Sequence, residues 1–333
     1  MDGAKYIDIS GVYSFVEYMG IANNNVLSVL KNKRNVMNKP QLKLIAEKTY
    51  KAMFSQQPEL CNIQETFYGW IVFLVSPKGK FVVKFSREYG RISKEIEGLK
   101  RLKKALDCPV PEVYLFGREE GHDYLVMEWL DGVSAYELPS DPKALEIFRE
   151  HYTDILIALH DCQSEKGFEI DREHFDPCLI NAFDAWMYPV LRYVLSCESP
   201  FSSQLKSAYS QLWEKRVEIL SPINTSSSLV HDDCHIANVL FDPKTFKVAA
   251  ILDPCDVGYK HREFDIFHLF DVREDLKLAE RYQEKTPLTD GFETRRWFLS
   301  LWDDAKHSRN MGWYDESWLV TKLDQFNIAY KQG

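Results

Sequence analysis

The most informative segment of the chain reads Leu229-Val-His-Asp-Asp-Cys-His-Ile-Ala-Asn-Val-Leu-Phe-Asp242, and it is followed by Val248-Ala-Ala-Ile-Leu-Asp253. Two polar residues in it, Asn238 and Asp253, flank a pair of short apolar runs that predict a β-hairpin. Such a hairpin would bring the two side chains next to each other. Because amide and carboxylate oxygens suit Mg²⁺, which also takes phosphate oxygens, this pair predicts a magnesium site.

Asp233 precedes Asn238 by five residues in the same segment. This spacing places its carboxylate near the predicted metal without requiring it to be a ligand. A carboxylate in that position suits a base that orients a hydroxyl group and accepts its proton. Asp233 is therefore the candidate catalytic residue.

A β-rich region in the first half of the chain predicts an antiparallel sheet with one helix. Phe67–Val75 and Lys80–Phe85 are rich in β-branched and aromatic residues, and the Ser-Pro-Lys-Gly sequence between them predicts a tight turn. Ile92–Leu102 carries its apolar residues on one helical face. Val113–Phe116 and Tyr124–Trp129 predict two further strands.

Helical patterns occupy the rest of the chain. Residues 1–60 show apolar spacing near 3.6 in Asn25–Leu30 and Leu42–Phe54, which predicts a helical extension. After Asp131-Gly132 the chain is mostly helical, and Asp141 with the proline that follows it predicts a helix start.

This order of elements predicts the domain organisation. We expect an α+β, two-lobed fold. A small, antiparallel, β-rich N-terminal lobe would comprise residues 1–130, and a larger helical C-terminal lobe would comprise residues 131–333.

The composition of the 333-residue chain, with 45% hydrophobic and 27% charged residues, excludes a disordered or collagen-like protein. Its net charge of −9 lacks the basic character typical of nucleic-acid binding, so no nucleic-acid partner is expected. The N-terminus has no signal-peptide pattern, and the run Trp70–Val75 is far shorter than the ~20 residues that span a bilayer, so we expect no membrane partner. Seven scattered cysteines without a CxxC pair predict reduced thiols in a cytoplasmic protein.

The ordered motifs carry a family resemblance. The pattern His-x-Asp-x-x-x-x-Asn followed by a second Asp, downstream of a strand lysine and a helix glutamate, resembles the aminoglycoside phosphotransferase and choline kinase group of the protein-kinase-like superfamily. By this resemblance Lys84 holds the nucleotide phosphates and Glu95 positions Lys84. The resemblance also implies that Asp233 is the catalytic aspartate and that Asn238 and Asp253 bind magnesium.

The resemblance covers roughly residues 60–270 and implies a nucleotide site. Within it, Leu125–Gly132 looks like the hinge between the two lobes. The carbonyl of Glu128 and the amide of Leu130 would then pair with adenine. The implied cofactors are Mg²⁺ and a nucleoside triphosphate, ATP or GTP.

Two features depart from the family patterns. The GxGxxG motif of protein kinases is absent before Lys84, where only Gly69 stands, and this argues against a protein kinase. Asp232 occupies a place where the family often has glycine. Asp tolerates unusual backbone angles but adds negative charge beside the candidate base. By the same resemblance, His231 and Asp265 support the catalytic loop.

The expected function is ATP- and Mg²⁺-dependent phosphorylation of a hydroxyl group on a small molecule, such as an aminoglycoside or another amino-sugar or amino-alcohol. A fainter resemblance of Trp297–Trp302 and Ala305–Trp313 to fructosamine and ketosamine kinases keeps that acceptor as an alternative. A nucleotide-binding pseudokinase without catalysis is a further alternative. The pair Asp303-Asp304 is interpreted either as a solvated helix face or as a binding site for a substrate ammonium.

Overall fold

The computed structural model describes residues 38–66 and 68–332. The predicted helix Asn25–Leu30 lies outside the described residues, and so does Phe67. The helices are α1 (Lys39–Phe54), α2 (Arg91–Ala105), α3 (Pro142–His160), α4 (Leu179–Leu195), α5 (Ser203–Leu220), α6 (Glu263–Ile266), α7 (Leu278–Lys285), α8 (Phe292–Met311) and α9 (Glu316–Gln332). The strands are β1 (Glu59–Glu65), β2 (Gly69–Ser76), β3 (Gly79–Ser86), β4 (Val113–Glu119), β5 (His122–Glu128), β6 (Val133–Ser134), β7 (Phe168–Glu169), β8 (Phe175–Asp176), β9 (Ser228–Val230), β10 (Val239–Phe241), β11 (Val248–Ile251) and β12 (Gly258–Lys260).

Two compact units make up the described chain. The first, which we call the sheet unit, contains the described residues up to 100 together with 108–148 and 236–255. The second, the helical unit, contains residues 101–107, 149–235 and 256–332. Within the described ranges, no helix is both long and apolar enough to cross a membrane.

The sheet unit contains a five-stranded antiparallel sheet in the order β1-β2-β3-β5-β4. This arrangement confirms the predicted antiparallel sheet. The ladder between β2 and β3 runs up to Ser76 and Gly79, which leaves Pro77 and Lys78 in the turn. The four strands β2 to β5 therefore lie where the sequence predicts them.

The sequence does not predict β1. Its pairing with β2 shifts register between Leu60 and Asn62. A bulge of this kind disrupts the alternation of apolar and polar residues by which a strand is identified. The helix ends at Phe54, so the expected helical pattern up to residue 60 is wrong from Ser55 onward, and from Glu59 pairing with β2 decides the conformation.

Helix α1 covers one face of the sheet. Its start is stabilised by a capping box, in which Asn38 accepts from the backbone N–H of Gln41 and Gln41 accepts from that of Asn38. Its buried face then packs with the sheet in one apolar cluster, which includes Leu42, Ile45, Tyr50, Trp70, Val72, Phe81 and Val126. The apolar spacing predicted for Leu42–Phe54 is thus that of a helix on a sheet.

A second, smaller sheet of the sheet unit contains the predicted hairpin. Strands β10 and β11 pair antiparallel, with Val239 opposite Ile251, and β6 adds a third strand beside β10. The hairpin begins directly after Asn238 and ends two residues before Asp253. It therefore carries both predicted metal ligands at its open end.

The helical unit is built around aromatic side chains of α4, α5 and α8. The ring centroids of Phe183 and Tyr209 lie 5.8 Å and 5.4 Å from that of Trp302, which is fully buried. The hydroxyl of Tyr209 donates to the carbonyl of Leu301 at 2.7 Å. These contacts fix α8, whose Lys306 contacts Asp232 in the loop that carries Asp233.

Candidate active site

Lys84 lies in a central strand of the sheet unit, where β3 pairs it with Ile71 on one side and Leu125 on the other. Its side chain is buried. The Nζ atom donates to Oε1 of Glu95 at 2.8 Å and also to the carboxylate of Asp253. A buried ammonium needs such partners, because an unpaired charge in a low-dielectric interior is costly. The structure therefore brings three sequence-predicted residues into direct contact.

Glu95 comes from the buried face of α2. A glycine in the same helix permits a close approach, since a Cβ atom at Gly98 would lie 1.7 Å from the carbonyl oxygen of Pro254. Pro254 directly follows Asp253, so the bare backbone at position 98 lets α2 contact the segment that holds Asp253. Our sequence analysis missed Gly98. An isolated glycine within a helical pattern is the signal that could have identified it.

The hinge candidates lie at the end of β5. The N–H of Glu128 donates to the carbonyl of Glu112 at 2.9 Å, and the Glu128 carboxylate accepts from the Glu112 N–H at 3.3 Å. Strand β5 ends at Glu128, so Leu130 follows the last pair of the ladder. Pairing of these residues with adenine stays a prediction.

Asn238 and Asp253 occupy the open end of the β10–β11 hairpin. The N–H of Leu252 donates to the carbonyl oxygen of Asn238 at 2.8 Å, which holds the two chain segments together. Asp253 has a φ of 59°, in the left-handed region that short polar residues tolerate better than most. Its side chain is 39% exposed, so the carboxylate is accessible to a ligand.

Three side chains that could ligate a metal lie together in this part of the sheet unit. Ligand atoms of Glu95, Asp253 and Cys255 lie within 4.8 Å of one another. Mg²⁺ prefers oxygen ligands, whereas a thiol suits softer metals. Glu95 is already the buried partner of Lys84, so Asn238 and Asp253 stay the predicted magnesium ligands.

In the helical unit, Asp265 holds the loop that carries Asp233. Its carboxylate accepts the N–H of His231 at 2.8 Å and the N–H of Asp232 at 2.7 Å. Nε2 of His160 lies 3.0 Å from the same carboxylate. Burial would raise the pKa of Asp265, but the hydrogen bond and charge of His160 lower that pKa below its usual range. Asp265 therefore stays ionised and accepts hydrogen bonds from the loop.

Asp233 is an ionised and partly accessible carboxylate. It lies 3.1 Å from Nε2 of His235, and its side chain is 35% exposed. Burial would raise its pKa, but the charges of His235, His268 and His307 outweigh burial and hold the pKa well below its usual range. A weakly basic carboxylate of this kind suits a group that orients a hydroxyl and accepts its proton late in the reaction.

Asp232, the residue in the glycine-like position, is held by two lysines. Its φ of 64° lies in the left-handed region that favours glycine. The carboxylate accepts from Nζ of Lys260 at 2.6 Å and lies 3.5 Å from Nζ of Lys306. These ammonium groups offset the extra negative charge beside Asp233. Sequence reasoning missed both lysines, because they lie 28 and 74 residues away along the chain.

Asp303 and Asp304 of α8 both have internal partners. Asp304 is buried and accepts from Nζ of Lys322 at 2.6 Å. The Asp303 carboxylate accepts from Nζ of Lys306 at 2.8 Å and lies 3.1 Å from Nδ1 of His307. The interpretation of this pair as a solvated helix face is therefore wrong.

The predicted site residues fall into two sets. Six of them belong to the sheet unit, namely Lys84, Glu95, Glu128, Leu130, Asn238 and Asp253, and we call Lys84, Glu95, Asn238 and Asp253 the nucleotide-side group because the resemblance predicts that they bind nucleotide and metal. Asp233 belongs to the helical unit. We call the side chains associated with it the acceptor-side group, which comprises Asp232, Asp233, His235, Lys260, Asp265, His268, Asp303, Lys306 and His307.

Comparison with known proteins gives a family match over most of the chain. The model of the phosphotransferase enzyme family matches residues 70–302. Among curated proteins, the uncharacterized protein YcbJ of Escherichia coli (strain K12) is 24% identical over 213 residues, which are 61% of this chain and 70% of YcbJ.

Solved structures share the fold at low sequence identity. A protein assigned as a fructosamine-3-kinase from Thermobifida fusca YX-ER1 has a TM-score of 0.65 at 19% identity, over 86% of this chain and 98% of its own. Its counterpart from Haemophilus somnus 129PT has a TM-score of 0.64 at 18% identity, over 85% and 96%. A thermostable mutant of aminoglycoside phosphotransferase APH(4)-Ia, in a ternary complex with AMP-PNP and hygromycin B, has a TM-score of 0.64 at 15% identity, over 85% and 98%. These matches confirm the predicted α+β, protein-kinase-like fold.

Proposed function

Because the chain belongs to the phosphotransferase enzyme family, we propose that it transfers the γ-phosphoryl group of ATP or GTP to a hydroxyl group of a small molecule, with Mg²⁺ as cofactor. The observation that carries this proposal is the contact of one buried lysine with both Glu95 and Asp253. Phosphoryl transfer needs positioned phosphates and stabilised negative charge, and this contact supplies an oriented ammonium beside an accessible carboxylate.

On the nucleotide side, each residue has a separate role. Lys84 holds the α- and β-phosphates, and its bond to Glu95 fixes the position of the ammonium. The backbone of Glu128 and Leu130 pairs with the nucleobase. Asn238 and Asp253 hold Mg²⁺, which supplies positive charge to the phosphate oxygens when it is bound.

On the acceptor side, Asp233 accepts a hydrogen bond from the acceptor hydroxyl and orients its oxygen for attack. A new P–O bond forms to that oxygen while the bond from the γ-phosphorus to the nucleoside diphosphate breaks. The hydroxyl proton passes to Asp233. Since its pKa lies well below the usual range, the proton moves late, when bond formation has made the hydroxyl acidic.

For the acceptor we propose an amino-sugar or amino-alcohol, with aminoglycosides included, or alternatively a ketosamine. The fold is shared with an aminoglycoside phosphotransferase bound to hygromycin B and with proteins assigned as fructosamine-3-kinases, which supports both classes.

The test measures how fast the protein consumes ATP or GTP with each of a panel of candidate acceptors, which are aminoglycosides, amino-alcohols, ketosamines and sugars. We expect at least one acceptor to be phosphorylated. With that acceptor, Asp233→Asn should lower kcat by about 10²–10⁴-fold and leave nucleotide affinity unchanged. Asp253→Ala should weaken both Mg-nucleotide binding and turnover, whereas Asp324→Asn, on the exposed face of α9, should change neither.

Two outcomes would contradict the proposal. Full turnover by the Asp233→Asn variant would show that the assigned base is wrong. Binding of Mg-ATP that depends on Asp253, with no acceptor phosphorylated, would instead identify a nucleotide-binding protein without catalysis.

A further inference from the structure

An internal ammonium lies between two carboxylates of the acceptor-side group. Nζ of Lys306 is 2.8 Å from Oδ1 of Asp303 and 3.5 Å from Oδ2 of Asp232. The Lys306 side chain is only 19% exposed. Burial would lower its pKa, but the two carboxylates raise the pKa well above its usual range. The lysine is therefore charged, and the position between the carboxylates already holds a cation.

A small space lies beside this ammonium. It has a volume of about 10 Å³, room for about one water molecule, and Asp232, Trp302, Asp303 and Lys306 line it together with the apolar side chains of Phe183, Met187, Phe264, Phe267 and Leu299. Nε1 of Trp302 is buried and has no hydrogen-bond partner within residues 38–66 and 68–332. An indole N–H needs an acceptor with a lone pair. A hydroxyl oxygen has one, and an ammonium has none.

The carboxylate pair borders the candidate base. Asp232 directly precedes Asp233 in the chain. His307, whose Nδ1 lies 3.1 Å from Oδ2 of Asp303, is one of the imidazoles whose charge lowers the pKa of Asp233. The position between Asp232 and Asp303 is therefore close to the candidate base.

We propose that Lys306 is a built-in ammonium that fills a cation-binding position formed by Asp232 and Asp303, so that the acceptor presents an uncharged, hydroxyl-bearing portion beside Asp233. The part about the acceptor rests on the proposed function of Asp233. An acceptor ammonium at this position would have to displace Lys306 and leave a largely buried charge without its partners, which is strongly unfavourable. Any amine of the acceptor therefore binds away from the reacting hydroxyl.

The binding position can be tested without catalysis. Lys306→Ala removes three methylene groups and the ammonium, which together correspond to n-propylammonium. The melting temperature of this variant should rise by about 2 °C or more at saturating n-propylammonium and should not rise with n-propanol. The wild-type protein should show no such rise. Arg309→Ala, at an exposed position of the same helix, is the matched control and should behave like the wild type.

Further measurements distinguish a loss of amine binding from a folding defect of the variant. If the Lys306→Ala protein folds poorly, its refolding yield should increase with n-propylammonium and not with n-propanol. Adding Asp303→Asn to Lys306→Ala should weaken the response, because half of the cation-binding position is then neutral. An equal response of the wild type, of Arg309→Ala or to n-propanol would overturn the proposal, and so would no response of Lys306→Ala.

Two acceptors that differ only in one group next to the reacting hydroxyl test whether Lys306 affects substrate specificity. For wild-type protein, kcat/KM should be at least about 10-fold lower when an ammonium replaces the hydroxyl next to the reacting one, and Lys306→Ala should reduce this discrimination. Equal discrimination by both proteins would refute the specificity role. An amine response without phosphoryl transfer to any acceptor would support the cation position and contradict the proposed function. Phosphoryl transfer without an amine response would support the proposed function and contradict the cation-binding position.

Discussion

The nucleotide-side group and the acceptor-side group balance their charges in different ways. In the first, the single ammonium of Lys84 serves two carboxylates, and the Asp253 side chain remains 39% exposed. In the second, Asp232 and Asp303 each have two cationic partners, and their side chains are only 5% and 14% exposed.

This difference indicates what each set of carboxylates can do. Asp253 shares its one cation with Glu95 and remains accessible, so it can take a metal ion while the Lys84 ammonium keeps Glu95 as a partner. Carboxylates with two internal cations each are already neutralised, and exchanging a partner leaves a charge uncompensated. This difference supports the proposed Mg²⁺ site in the nucleotide-side group, whereas the acceptor-side group holds the loop of Asp233.

The largest expected effect comes from removing the carboxylate that holds this loop. Asp265→Ala leaves two buried N–H groups and His160 without their acceptor, so we expect a loss of about 3–5 kcal/mol of unfolding free energy. Urea unfolding measures this loss, and the exposed Asp324→Ala should change stability by less than about 0.5 kcal/mol. A loss below about 1 kcal/mol would show that the loop does not depend on Asp265.

The charge network should also make stability depend on pH. Burial would lower the pKa of His268, but Asp271, Asp303 and Asp233 raise that pKa to about 9. Because the folded state then binds the proton more tightly than the unfolded chain, stabilisation is complete below about pH 6.5 and is lost as the pH rises through about 9. The full change is about 3 kcal/mol.

Unfolding in urea between pH 6 and 10 measures this dependence. His268→Gln should flatten the decline in stability with rising pH, and His174→Gln, at an exposed site, should leave the decline in place. An equally steep decline in His268→Gln would mean that other groups carry the proton linkage.

A smaller effect should arise on the nucleotide side at Gly98. In an unhindered helix, Gly→Ala stabilises by about 1 kcal/mol, but here the new methyl group collides with the carbonyl of Pro254. We expect Gly98→Ala to cost about 1–3 kcal/mol and to weaken Mg-nucleotide binding, because α2 is pushed away from the segment that carries Asp253. Lys100→Ala, exposed on the same helix, is the control for helix propensity. A gain in stability from Gly98→Ala would contradict the close approach.

The smallest expected effect concerns one hydrogen bond to the loop that carries Asp233. The hydroxyl of the buried Tyr152 donates to the carbonyl of Cys234, next to Asp233. Tyr152→Phe should cost about 0.5–1.5 kcal/mol in thermal or urea unfolding and should lower kcat without changing nucleotide affinity. A change in nucleotide affinity with unchanged kcat would show that the two groups are not functionally separate.

Much of the fold was accessible from the sequence. The strands β2 to β5 have β-branched and aromatic runs separated by turn residues, and α2 has a regular apolar face. Strand β1 was missed, because the bulge between Leu60 and Asn62 removes its alternation. Periodicity identifies elements whose burial follows a regular pattern, and it fails where pairing with a neighbour decides the conformation.

The nucleotide-side group and the acceptor-side group also differ in how far the sequence predicts their contacts. Asn238 and Asp253 could be paired from sequence, because one short hairpin joins them. Lys260 and Lys306 could not be assigned to Asp232, because surface and buried lysines have no distinguishing local pattern. Gly98 left a detectable signal in its helix, but the carbonyl it approaches lies more than 150 residues away along the chain.

By itself, then, the sequence determined strands β2 to β5, the β10–β11 hairpin, helix α2 and the residues of short motifs, because hydrophobic period and close spacing act within a few turns of chain. Only the tertiary structure decided which cations neutralise Asp232 and Asp303, and which backbone Gly98 contacts. Long-range ion pairs and close approaches form when whole elements pack together. Many pairings are compatible with the same local pattern, and the packing of the elements selects one of them.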